Sequence, residues 1–308
     1  IYHSSRFFNL SDWHLKSQNL YVWVEIFTVF ITRWMMPLFF VISGISLYYV
    51  IGKTQKWTSF FTDKFLRLMI PVLFASVTHA AIHVYVERAS HGRFEGSFFQ
   101  FIPHYFRGVY SGIGLSGSGS FAFHGMHLWY LLFLFVYGLL CYKLFSWFKN
   151  GGKNLLQRLT DFAAKPGLNY LLFIAPLVLL KAAVPAPILE VGNGGWGFLY
   201  YLWFLIAGFI LISSADLQNS IQKQRWVSLI LAIGFTAAYL HGIFGIEAPV
   251  LTGATGNWTI ALLNFFCSWS WLFAILGFGM KHLSVNRPIL KTLNEGVLAF
   301  FILHQTVL

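Results

Sequence analysis

The chain of 308 residues is 57% hydrophobic and 19% aromatic, with 10% charged residues and a mean hydropathy of +0.65. A water-soluble domain carries roughly 25% charged residues, so composition excludes that class and points to an integral membrane protein. The formal charge of +11 follows from basic loops between apolar spans and needs no nucleic acid partner, and two distant cysteines in apolar segments, Cys141 and Cys267, exclude a disulfide framework or a cysteine metal site.

The opening residues, "IYHSSRFF", carry neither an initiator Met nor a basic leader, and the closing "FFILHQTVL" stops within an apolar run. Both ends read as cut, with at least one helix missing and another incomplete. Stretches long enough to span a bilayer, about 20 mostly apolar residues, follow near 22–51, 66–87, 124–147, 168–184, 197–215, 226–246, 258–280 and 294 to the end. The expectation is an all-α, polytopic transmembrane helix bundle, about ten helices in the full protein with eight or nine represented here, forming one domain over residues 1–308. Alternate seams, among them "GKTQKWTSFFTDK" and "KNGGKNLLQRLTDFAAKPG", hold 14 of the 21 basic residues. The positive-inside rule makes those seams cytoplasmic. No pair of matching broken spans suggests an inverted-repeat carrier.

The first span, with "ITRWMMPLFFVISGISLYY", carries an arginine, a proline and a Ser-Gly pair. Glu25 and Arg33 are eight residues apart, on similar faces of a continuous helix, too far for a direct pair but able to interact through intervening polar groups or water. An ionisable residue at this depth marks function; the competing reading makes residues 19–30 an interfacial helix from which Arg33 snorkels to head groups. Pro37 and Ser43-Gly44 read as a helix irregularity with a small-residue face, admitting a neighbouring helix or a bound chain.

In "DKFLRLMIPVLF", Lys64 and Arg67 put two cations on one helical face at the cytoplasmic boundary, suited either to gripping phosphates or to ordinary anchoring. His79 and His83, at i and i+4, share a face of the second span, and His124 and His127 open the third. The pair lacks the Glu and third ligand of zinc sites, so no metal is expected and a polar cavity lining is the reading. The outer loop 90–123 is expected to form interfacial or re-entrant structure. Its "SGIGLSGSGS" is only superficially like a phosphate loop, because no Gly-Lys-Ser/Thr follows.

Four segments in order resemble a family. "MPLFFVISG" resembles the second-helix signature of the membrane acyltransferase-3 family, "DKFLRLMIP" its basic pair before Arg-Leu-x-x-Pro, "HLWYLLFLF" its His-Leu-Trp-Phe-Leu helix start, and "FFILHQTVL" its Tyr-Ile-Leu-His-Gln late helix. The likeness runs end to end and is similar to glucan-modifying, succinylating members. It implies an acyl-CoA-dependent O-acyltransferase in which "IYHSSRFF" ends the first helix and His3 is the catalytic histidine. It also puts Arg67, with Lys64 in place of the usual arginine, against the donor. Two departures stand out: the arginine expected before the histidine lies outside this sequence, and Lys64 offers a point charge where a fork is usual.

The combined expectation is a multi-pass enzyme of the bacterial cytoplasmic membrane. It would move an acyl group from a cytoplasmic acyl-CoA to an outer-face hydroxyl, with a glycan as acceptor on the resemblance alone. His3 would act as general base and Arg33 would stabilise negative charge in a polar tunnel, a role not carried over from the family. Lys64 and Arg67 would hold the donor, Pro37 with Ser43-Gly44 would make room for its pantetheine arm, and Glu25, His79, His83 and His127 would line the substrate cavity. The alternative is a non-catalytic carrier or flippase for an amphiphile, with Arg33 and His79/His83 binding its head group.

Overall fold

The computed structural model describes residues 1–51, 56–110, 119–184, 197–245, 254–283 and 287–307. Most of "SGIGLSGSGS" therefore lies outside the described residues. Among those described the protein is all-helical, with one isolated bridge between Val109 and Phe121. Five helices are long and apolar enough to cross a bilayer: Val22–Ile51, Trp57–Ser90, Met126–Lys149, Arg225–Phe244 and Asn257–His282. Two bent pairs raise the number of candidate spans to seven if each is one span. The predicted spans 168–184 and 197–215 form as Leu168–Ala183 and Phe198–Ile212. At 1.5 Å per residue these are only about 24 and 22 Å long, and each turns sharply, by 116° and 102°, against a polar helix, Lys153–Ala164 and Ala215–Lys223. The last predicted span begins earlier than hydropathy indicated, at Pro288, a residue preorganised for a helix start.

The chain divides into two compact units. The first comprises Ile1–Thr28, Lys56–Leu139 and Asn286–Leu308, the second Val29–Gln55 and Leu140–Val285.

In the first unit, Leu68, Val72 and Ala75 pack with Leu128 and Leu131, and Leu298, Phe301 and Ile302 of the last helix close over them. The long second span is irregular at two places. Pro71 has no N–H for the Arg67 carbonyl, and the winding opens to a π-helix over Phe65–Met69, with Ile70 N–H reaching back to the Phe65 carbonyl. A second break falls at Thr78, whose φ of −112° and ψ of −80° leave helical space. There the Ser76 carbonyl accepts from the Tyr105 hydroxyl at 2.6 Å, and the Ser76 hydroxyl donates to the Phe123 carbonyl at 2.8 Å. Both ties fasten the loop after Ser90 onto the span. That loop contributes a helix, Phe98–Tyr105, opened by a Ser97/Gln100 capping box, and its Phe101 and Tyr105 bury themselves against Ala80, Ala81 and Val84.

The second unit explains the peculiar residues of the first span. Its helix runs unbroken from Val22 to Ile51 with Pro37 inside. A proline cannot donate to the carbonyl four residues before it, here that of Arg33, and in lipid an orphaned carbonyl costs several kcal/mol. The Ser268 hydroxyl supplies the missing donor, 2.6 Å from the Arg33 oxygen, and is itself 3.2 Å from the Tyr200 hydroxyl. Further along, Gly44 meets the Phe198–Ile212 helix so closely that a Cβ would sit 1.9 Å from the Leu205 carbonyl oxygen, and Gly208 answers it with a Cβ position 2.0 Å from the Val41 oxygen. The small-residue face is thus filled by a helix backbone, the close approach that small residues permit, and the room expected there for a pantetheine arm is taken.

Candidate active site

The N-terminal segment is held by an internal polar scaffold. The Lys16 ammonium donates to the carbonyls of Arg6, Asn9 and Ser11 and to the Asn9 side-chain oxygen. Burial, followed by the charge of Arg6, lowers its pKa from the usual lysine value. Asn9 passes the link on, donating to Glu25 at 2.7 Å. Glu25 also accepts from the Leu10 and Ser11 backbone N–H groups at 3.0 and 3.1 Å and from the Ser11 hydroxyl. With four donors on its two oxygens, Glu25 clamps residues 9–11 to the start of the first span. Eight residues of helix set it about 12 Å from Arg33 along the axis. Arg33 instead donates to the Tyr239 hydroxyl at 2.8 Å and approaches Asn264 Oδ1 at 3.4 Å, within the second unit.

The scaffold delivers His3 into a group of imidazoles, all in the first unit. Its ring lies 5.1 Å from that of His304 and 6.3 Å from that of His127, centre to centre, and stacks at 5.8 Å on Trp13. His127 is 4.9 Å from His304 and 6.2 Å from His83. Each arrives by a different route. His83 sits on the helix after the Thr78 break. His127 is set by Gly125 and Met126, both with positive φ, at 66° and 58°. For a methionine this is an uncommon conformation, and strain of this kind gathers at functional sites. His304 comes from the last helix.

Hydrogen bonds fix two of the tautomers. His127 donates Nε2–H toward the carbonyls of Phe301 at 3.0 Å and Ile302 at 3.1 Å, so its Nδ1 is the basic nitrogen. His304 donates Nδ1–H to the Phe301 carbonyl at 2.8 Å, leaving Nε2 basic. Buried Nδ1 of His3, Nδ1 of His127 and both nitrogens of His83 meet no hydrogen-bonding partner among the described residues. Unused buried nitrogens gathered in one place are what a hydroxyl-bearing substrate needs. Among the described residues, no group of three or more His, Cys, Asp or Glu is placed to hold a metal ion.

Beside this cluster lies a carboxylate-oriented imidazole. His14 pairs through Nδ1 with Glu87, whose side chain is 0% exposed. Glu87 also accepts from the Tyr110 hydroxyl at 2.8 Å and Arg88 Nη1 at 3.3 Å. Burial and the negative charge of Glu87 raise the Tyr110 pKa, keeping the phenol a donor. The ring of His14 is 4.8 Å from that of Trp13, the residue on which His3 stacks.

At the other end of the long second span, Asp63 gathers both basic residues. Arg67 Nε is 2.8 Å from Asp63 Oδ1 and Lys64 Nζ is 3.8 Å from Oδ2. The π-winding separates them: the Arg67 side chain is 74% exposed, whereas that of Lys64 is 16% exposed and lies over the Phe60 ring at 5.6 Å. π-segments are rare and frequent at functional sites.

The family model for an acyltransferase domain, that of the acyltransferase-3 family, matches residues 1–308. The chain belongs to the acyltransferase-3 family. No curated protein and no solved structure matches it. Membership, together with the long apolar helices, makes the molecule a multi-pass membrane acyltransferase.

For this acyltransferase-3 chain, the structure brings His3, His83 and His127 together and adds His304, His14, Glu87 and Tyr110, which sequence reasoning did not single out. His79 stands one turn before His83, with its ring 6.2 Å from Phe74. Lys64 and Arg67 lie at the opposite end of the span, Glu25 in the N-terminal scaffold and Arg33 in the second unit. A signal for Glu87 was available: His79, His83 and Glu87 form an i, i+4, i+8 stripe on one helical face.

Proposed function

We propose that the protein transfers an acyl group from a cytoplasmic coenzyme A thioester to a hydroxyl of a glycan or other envelope molecule at the outer face of a bacterial cytoplasmic membrane, with His3 as general base. The observation that carries this reading is the convergence of His3, His83, His127 and His304 around unused basic nitrogens, in a chain whose family performs acyl transfer. A neutral His3 takes the acceptor's proton as its oxygen attacks the thioester carbonyl. The tetrahedral oxyanion then collapses, the C–S bond breaks and the coenzyme A thiolate leaves, the proton passing to it from the imidazole. His127 and His304, with their tautomers set by backbone carbonyls, help to orient the two reactants.

Lys64 and Arg67 are assigned to the donor's phosphates. From Arg67 to His83 is 16 residues along the broken span, at most about 24 Å of rise, so the thioester would travel along the span to the cluster while the phosphates stay at its mouth. Arg33 is assigned to charge stabilisation in the polar interior of the second unit, beside Tyr239 and Asn264. No metal enters this scheme.

A second assignment of the base, within the same reaction, has its own support. His14, held at Nδ1 by a buried carboxylate, has the orientation logic of a base in a catalytic triad. The test is acyl-CoA turnover by the purified protein in lipid nanodiscs, scored as free thiol released with and without a hydroxyl acceptor. Acceptor-dependent release is expected. A chain that binds the thioester but never cleaves it would be a carrier, and the proposal would fall.

A further inference from the structure

The first unit holds a second, strongly basic site. A cavity of about 470 Å³ is lined by Arg88, Arg93, His104 and Arg107 together with the rings of Phe94 and Phe101. Its size suits a sugar-sized ligand, since small-molecule sites run from about 300 to 1,000 Å³. The aromatic wall is built in advance: Phe94 packs edge-on against Phe101 at 5.1 Å and at a tilt against His104 at 5.4 Å. Arg93 is set just past the end of the His79–Ser90 helix by its N–H bond to the Arg88 carbonyl. His104 and Arg107 flank the end of the Phe98–Tyr105 helix, and the Arg107 carbonyl accepts from Ser120 N–H.

Three guanidiniums around one space repel one another unless an anion joins them. Arg88 shares its charge with Glu87 and donates to the Gly119 carbonyl at 3.1 Å. Glu87 is in turn filled by His14 and Tyr110, and among the described residues no carboxylate pairs with Arg107. Arg107 therefore gives the cavity a positive charge that no described carboxylate cancels. The coenzyme A donor does not account for it. Arg67 and Arg88 are 21 residues apart on the same broken span, about 31 Å at 1.5 Å per residue before the bend, which is about the thickness of the hydrocarbon core.

We propose that this cavity binds a phosphate group carried by the acyl acceptor, with the guanidinium forks on its oxygens and Phe94 against the adjoining carbon skeleton. The word acceptor rests on the acyltransferase reading; the phosphate site itself rests on the cavity. Arg88 joins the two sites, since the same side chain lines the cavity and touches Glu87, the partner of His14.

The full chain in phosphatidylcholine nanodiscs is titrated calorimetrically at low salt with glucose 6-phosphate, with glucose and inorganic phosphate as comparisons. Glucose 6-phosphate is expected to bind, inorganic phosphate more weakly and glucose not at all. Arg107→Gln, an exposed position whose replacement spares the core, is expected to weaken glucose 6-phosphate about tenfold, with partial recovery in Arg107→Lys. Equal binding by wild type and Arg107→Gln, or none by wild type, overturns the site. If mixed phosphatidylcholine and phosphatidylglycerol nanodiscs abolish the sugar phosphate's binding, the occupant is a lipid head group and the acceptor assignment is overturned. Thioester turnover by the same wild-type sample is scored separately: phosphate binding without turnover strikes only the acyltransferase reading, and turnover without phosphate binding strikes only this inference.

Discussion

Pro37 and Ser268 form a reciprocal pair that a double-mutant cycle isolates. Ser268→Ala removes the donor to the Arg33 carbonyl, 2.6 Å away, while Pro37 prevents the helix from supplying its own. Interhelical hydrogen bonds in membranes average about 0.6 kcal/mol, with a maximum near 1.7, because separated helices find other partners. Here the separated helix keeps an orphaned carbonyl, so the expected cost lies in the upper part of that range, about 1–1.7 kcal/mol. Pro37→Ala restores an N–H to the carbonyl within the helix and should reduce the cost of Ser268→Ala by about 1 kcal/mol. The serine also touches the Tyr200 hydroxyl, so Tyr200→Phe measures that share. The assay is reversible unfolding in mixed detergent micelles, followed by helical circular dichroism. An equal cost for Ser268→Ala with and without Pro37 would refute the reasoning.

Gly44→Ala brings a Cβ to within 1.9 Å of the Leu205 oxygen. Restoring an ordinary C···O contact requires about 1.4 Å of helix separation, and an unfolding free energy lowered by about 1–3 kcal/mol is expected. Gly208→Ala meets the same crossing from the other side, so the double variant should cost less than the sum; strict additivity would contradict the shared crossing. On the proposed donor assignment, Asp63, 2.8 Å from Arg67, would compete with the donor's phosphates, so Asp63→Asn should tighten coenzyme A thioester binding, by less than about fivefold for so exposed a pair. Arg67→Ala should raise the donor KM more than it lowers kcat, and wild-type donor affinity should fall as salt rises. Unchanged affinity in both variants would return Arg67 to a membrane anchor.

The helical class, most of the span positions and the family were legible in the sequence, because bilayer thickness and backbone satisfaction leave strong, local signals. Partnerships were not. Glu25 and Arg33 suggested an indirect link through intervening polar groups, yet Glu25 is taken by backbone N–H groups of Leu10 and Ser11, donors that no side-chain pattern reveals. Gly44 advertised close approach without saying to what, and only the fold identifies the Leu205 carbonyl. The histidine cluster was half visible. His83 and His127 stood out by position, whereas His304 and His14 enter from opposite ends of the chain, and their proximity depends on tertiary folding. The basic cavity was hidden for a similar reason, as Arg88, Arg93 and Arg107 read one by one as ordinary outer-loop charges.

The most direct test of His3 as base is a paired measurement on His3→Ala in nanodiscs: binding of a non-hydrolysable acyl-CoA analogue and acyl transfer to a hydroxyl acceptor, with His14→Ala and His83→Ala in parallel. A general base acts on the acceptor's proton and not on the donor's phosphates. His3→Ala should therefore bind the analogue like wild type while transfer falls by about 100- to 10,000-fold. Full transfer by His3→Ala beside an inactive His14→Ala or His83→Ala would move the base to that residue, and full transfer by all three would contradict the account.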